Sequence, residues 1–170
     1  MKQFCIAIFS LFITVNTFAA NQDAIAYNDK IIKEQNKIGE AMLIFSNNPN
    51  EFSLSSINTQ IYKGMSVLNT MKPFEGNKKF LQAAKALFKF YNSIVKNEYQ
   101  KILTLMVNNK NYSQDALTKK IDEVTHSISK KEIAYDKAFQ AAQKEFALKY
   151  GFILQKNNLL EKYSTNNNED

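Results

Sequence analysis

Apolar residues recur at three- and four-residue steps along most of this chain, and the rhythm breaks in three places. From Asp23 to Ser46, the positions Ala24, Tyr27, Ile31, Ile38, Met42 and Phe45 mark one face of an amphipathic helix. The first break holds Pro49. Asn48 can accept a backbone hydrogen bond, Pro49 suits the first helical position and Glu51 completes a capping box, so a second helix is expected there. Its stripe is Leu54, Ile57, Ile61, Met65 and Leu68, closed by Met71. Lys72-Pro73-Phe74-Glu75-Gly76 is a short connection. A third helix begins after Asn77 and carries Phe80, Ala84, Leu87, Tyr91, Val95, Ile102 and Leu105 on one face. Leu81, Phe88, Ile94 and Met106 flank it. The run Asn108 to Tyr112 has no periodicity. A fourth helix starts after Ser113, with Asp115 at the positive end of its dipole. Its stripe runs from Leu117 through Ile121, Val124, Ile128, Tyr135, Phe139, Ala142, Phe146 and Tyr150 to Ile153, with Gly151 near its end.

Four helices with short connections predict an all-α fold, an antiparallel up-down-up-down four-helix bundle. The third and fourth helices are the longer pair, roughly 45–55 Å at 1.5 Å per residue, so one end is expected to overhang. No stretch alternates with the two-residue period of a strand, and Asn-Gly turns are absent, so no sheet is expected. The bundle domain is assigned to residues 20–156. The tail, 157–170, is polar, and disorder is expected from about Ser164.

Residues 1–19 read as a secretory signal peptide. Lys2 gives a positive start, Phe4 to Val15 is almost wholly apolar, and Thr17-Phe18-Ala19 places small residues around a cut after Ala19. The apolar run falls short of the ~20 residues a membrane-spanning helix needs. Cleavage leaves a chain destined for the periplasm or the cell surface, with no transmembrane segment. The single cysteine, Cys5, leaves with the leader. The remainder therefore has no disulfide, no zinc thiolate and no thiol nucleophile. Export without disulfides points to a bacterial source.

The formal net charge is +6, and all the basic residues are lysines. The absence of arginine argues against nucleic-acid recognition, which leans on the bidentate guanidinium fork. The surplus lysines read as a solvated surface, with weak attraction to an anionic envelope surface as the sharper alternative.

The catalytic constellations fall away one by one. Glu123-Val124-Thr125-His126 has the Glu-x-x-His spacing of di-iron bundles, but His126 is the chain's only histidine. At 100° per residue both side chains lie away from the apolar stripe, so an exposed pair is expected. A Ser-His-Asp triad lacks its buried histidine, and four glycines form no phosphate loop. No cofactor, no metal site and no enzyme activity are expected.

Polar residues inside the stripes are the more informative anomaly. Asn28 and Gln35 sit on the inner face of the first helix, Tyr91 and Glu98 on that of the third, and Glu132 on that of the fourth. A buried carboxylate is costly unless paired or protonated. Folding the helices back at their loops puts Glu132 level with Tyr91, Gly39 and Asn36, within about a turn of Gln35. It puts Glu98 about two turns away, on the order of 10–12 Å. Three readings stand: side chains at helix seams reaching water, lysine or a tyrosine hydroxyl; a polar layer fixing register; or a ligand or ion site. The mid-helix glycines Gly39 and Gly64 point to close helix contact or a small cavity.

Ala26-Tyr27-Asn28-Asp29-Lys30-Ile31-Ile32, with Glu34-Gln35 following, resembles the start of an uncharacterised family of bacterial surface proteins first named from a leptospiral member. The resemblance covers the first helix and implies a helical exported protein; it supplies no activity or site residue. The expected function is that of a non-enzymatic interaction or scaffold module of the cell envelope, with an envelope protein as partner. The alternative is a periplasmic bundle that binds a small molecule or ion.

Overall fold

The computed structural model describes residues 11–15 and 21–157. The cleavage region around Ala19 and the tail from 158 onwards lie outside the described residues. The described fold is all-α. Helix α1 is Gln22–Asn47, α2 is Glu51–Thr70, α3 is Lys79–Ile94, α4 is Gln100–Val107 and α5 is Gln114–Tyr150. A π-helical turn, Val95–Tyr99, joins α3 to α4, so the two make one rod. A single turn of 3-10 helix, Asn109–Asn111, precedes α5.

Local chemistry sets the helix ends. Asn21 caps α1 by accepting from the Ala24 N–H at 3.0 Å, and Ser113 caps α5 by accepting from the Ala116 N–H at 3.3 Å. The cap of α2 differs from expectation. Asn50, not Asn48, accepts from the Ser53 N–H, and the Ser53 hydroxyl accepts in return from the Asn50 N–H. Ser53 wins over Glu51 because its short hydroxyl also donates to the Asn48 carbonyl, tying the end of α1 to the start of α2. Gly151 closes α5 at φ 75°, where a side chain would be strained. The Phe152 N–H then returns to the Ala147 carbonyl in the six-to-one bond of a Schellman close. The stripe therefore ends at Tyr150, before Ile153.

The expectation of no strand is corrected. Strand β1, Leu11–Val15, pairs antiparallel with β2, Ile153–Asn157, Leu11 opposite Asn157 and Val15 opposite Ile153. Phe12, Ile13, Thr14 and Val15 are β-branched or aromatic, types that favour strands once a partner is present. That partner lies at the far end of the sequence, where no local pattern reveals it.

The core forms where α1 meets α2, α2 meets α3, and α5 meets both α3 and α1. Ile31, Ile38, Met42, Ile57, Leu87, Phe88, Ile128 and Phe139 are among its fully buried residues. Each such side chain contributes about 1.5–3 kcal/mol by leaving water. Gly64 permits close approach here, since a Cβ on it would lie 2.7 Å from Phe88 Cε2. At one end, Phe146 gathers Phe80, Tyr27, Phe74 and Tyr150, with ring centroids 5.2, 5.6, 5.7 and 4.7 Å away. At the other end Leu105, Leu117 and Ile121 form a separate small cluster where α4 meets the start of α5.

Candidate functional site

Helix α1 carries a second ladder of buried positions besides its aliphatic one: Asn28 and Gln35, seven residues apart and therefore on one face. Asn28 is served. The Gln143 Nε2 of α5 donates to its Oδ1 at 2.9 Å, and its own Nδ2 donates to Asp29 at 3.1 Å. Gln35 is not so well placed. It is 2 % exposed, its amide lies beside the Tyr91 hydroxyl, and neither amide atom has a partner in good hydrogen-bond geometry.

Around Gln35 the helices deliver a cluster of polar groups. Tyr91 comes from α3, Tyr99 from the π-turn, and Glu132 and Asp136 from α5 one turn apart. Both tyrosines are fully buried and feel the Glu132 carboxylate. Glu132 is 4 % exposed. Burial first, and the neighbouring Asp136 carboxylate second, push its acid up to about 8. At neutral pH it is therefore held largely as the neutral acid. Burial raises Asp136 as well, opposed by the Gln140 amide, which donates to its Oδ2 at 2.6 Å. Burial and the Glu132 charge raise the Tyr91 and Tyr99 hydroxyls, so neither ionises in the ordinary range. Glu132 Oε2, Asp136 Oδ1 and the Tyr99 hydroxyl each lack a hydrogen-bond partner. Unserved buried groups of this kind cost about 1–3 kcal/mol each.

Glu98 stands apart from this cluster. It is partly exposed at the flank of its rod and pairs with Lys131 of α5. An uninterrupted α-helix would have put Glu98 at the centre of the inner face. The π-turn holds one extra residue, so Tyr99 takes that place and Glu98 turns aside. Of the five residues singled out by sequence, the structure thus gathers Gln35, Tyr91 and Glu132, gives Asn28 its own partner, and moves Glu98 outward. Sequence reasoning missed Asp136 and, although Tyr99 reads as a core tyrosine, did not place it in this group. The four-residue step from Glu132 was a usable signal for Asp136; the position of Tyr99 depends on the π-turn.

Two surface features complete the picture. Glu123 and His126 are exposed and line a shallow recess on α5 with Asp115, Thr118, Lys119 and Asp122. Among the described residues no group of three or more His, Cys, Asp or Glu could hold a metal ion. The outer face of α2 differs in kind. Phe52 is 85 % exposed and Tyr62 78 %. Between and beside them are Ser55, Asn58, Thr59 and Ser66, and the helix has only Glu51 and Lys63 as charges. Thr59 and Asn58 turn their side chains back onto the Ser55 and Leu54 carbonyls, which reduces the polarity offered to solvent. Among the described residues no helix is long and apolar enough to cross a membrane. No family model, no curated protein and no solved structure matches this chain.

Proposed function

We propose that this protein is an exported, non-enzymatic interaction module of the bacterial cell envelope. It is built as an antiparallel up-down-up-down four-helix bundle, the arrangement that long helices with short connections favour, and its resemblance to the leptospiral-type surface proteins implies a helical exported protein. The observation that carries the reading is the outer face of α2, where Phe52 and Tyr62 stand exposed on a helix nearly free of charge. Protein interfaces enrich aromatic residues and deplete charge in the same way. The other long surface, on α5, bears lysines and carboxylates and fits a solvated face. The apolar run from Phe4 to Val15 and the small residues that follow it support export; a cut after Ala19 would remove β1 and leave β2 without its partner strand. The partner is an envelope protein with an uncharged, aromatic-accepting surface.

The experiment is site-specific photocrosslinking in intact cells that express the full chain. Probes at Phe52 and Tyr62 are expected to trap one discrete partner, whereas probes at Lys130 and Lys137 on α5 trap none. Adducts distributed equally over both faces, or absent from α2, would overturn the reading. N-terminal sequencing of the envelope fraction is expected to begin at Ala20; an intact leader in the cytosol would remove the export half of the proposal.

A second reading, a bundle that binds a small molecule or ion in its interior, is favoured by the unserved polar atoms of Gln35, Tyr99, Glu132 and Asp136.

A further inference from the structure

Gly39 is buried, yet a Cβ built on it would meet no atom within 4 Å. Its helix therefore borders open space inside the protein. Two contacts on either side of Gly39 fix the height of that space. One turn earlier, Gln35 faces Tyr91; beyond it, Phe45 packs on Tyr99 with ring centroids 5.1 Å apart. The Glu132 charge acts on both tyrosines, so it lies near each of them. The open space at Gly39 is one helical turn from the unserved amide of Gln35, on the same side of α1.

We infer that the space bounded by Gln35, Gly39, Tyr91, Tyr99, Glu132 and Asp136 binds a small primary amine in its ammonium form. The inference deepens the interior-binding reading and rests on it. An ammonium group carries three donors and no acceptor. The site supplies matching acceptors in Asp136 Oδ1 and the Gln35 amide oxygen, and in Glu132 Oε2, whose proton passes to solvent when the ammonium charge takes its place; none of these atoms has another hydrogen-bond partner. The buried rings of Tyr91 and Tyr99 add faces that attract a desolvated cation. Two carboxylates serve a divalent metal poorly, since calcium takes 6–8 oxygen ligands at about 2.3–2.6 Å, and no cluster of metal-ligating side chains is found among the described residues. The glycine leaves room for a methyl-sized substituent beside the ammonium. Asp136 is half-buried, and Gln140 holds one of its oxygens, leaving Oδ1 for the ligand.

Methylammonium chloride, titrated into the full chain against sodium chloride at equal ionic strength, tests the inference. The chain has no tryptophan, so near-ultraviolet circular dichroism reports its tyrosine and phenylalanine rings directly. A saturable spectral change with a rise in Tm is expected. Glu132→Gln is expected to weaken binding at least tenfold. Gly39→Ala is expected to abolish it while raising the Tm of the ligand-free protein, because the added methyl occupies the space. Acetamide, similar in size and uncharged, runs in parallel. A response to acetamide lost in Gly39→Ala, without one to methylammonium, would overturn the amine and leave interior binding standing. No saturable response to either, or a methylammonium response undiminished in Gly39→Ala, would overturn the site itself.

Discussion

The aromatic end of the bundle and its polar middle solve the same problem in opposite ways. At the aromatic end, Phe146 and Phe80 pack ring on ring with Tyr27, Phe74 and Tyr150. The polar groups that enter this region are met: the Tyr27 hydroxyl donates to the Lys72 carbonyl at 3.1 Å, and Asn28 is held by Gln143. In the middle, Gln35, Tyr99, Glu132 and Asp136 are buried with polar atoms unserved. Stability comes from the first region; the second lowers it. A protein only marginally stable overall keeps such a region where something other than folding requires it.

The aromatic end should be the more sensitive of the two to truncation. Phe146→Ala should cost about 3–5 kcal/mol by opening a cavity among its aromatic neighbours, read as a drop in the urea midpoint. A loss under 1 kcal/mol would show that the end is no better packed than the middle.

The polar middle should respond to pH. The Glu132 acid sits at about 8 in the folded protein against an ordinary 4.5. Between those values the unfolded chain has already released a proton that the folded chain keeps. Stability should therefore be full below pH 4.5 and fall as pH rises towards 8, by at most about 1.4 kcal/mol per pH unit. Asp136, raised in the same direction, adds to the trend. Glu132→Gln should flatten it; an equally steep profile in that variant would assign the titration elsewhere.

The smallest effect separates two glycines. A Cβ at Gly64 would press on the Phe88 ring, so Gly64→Ala should destabilise by about 1–3 kcal/mol despite alanine's better helix propensity. The opposite sign expected at Gly39 makes the pair its own control. Thermal unfolding of both variants reads it, and two losses of equal size would mean that no space exists beside Gly39.

The helices were legible because a 3.6-residue period survives in any single stretch of sequence. The span of α1 and the start of α5 followed from it, as did the inward placement of Gln35, Tyr91 and Glu132, whereas the stripe was carried to Ile153, past the Gly151 close of α5. Gly39 and Gly64 could be marked but not distinguished, since only the neighbour across the seam decides between contact and cavity. The pairing of β1 with β2 was hidden for a similar reason: its partner lies at the opposite end of the chain. Glu98 was misplaced by counting an ideal helix through Val95–Tyr99. Sequence periodicity assumes constant pitch, and one π-turn suffices to change which residue faces inward.

A turn widened by one residue also gives the α3–α4 rod an unusual tolerance of length. Deleting a residue from a regular helix rotates everything downstream by about 100°. Deleting Asn97 from Val95–Tyr99 would instead convert that turn into ordinary α-helix and leave Ile102 and Leu103 aimed as they are now. Along this rod, the segment beside the buried tyrosines is the place where the chain can be shortened by one without disturbing the packing beyond it.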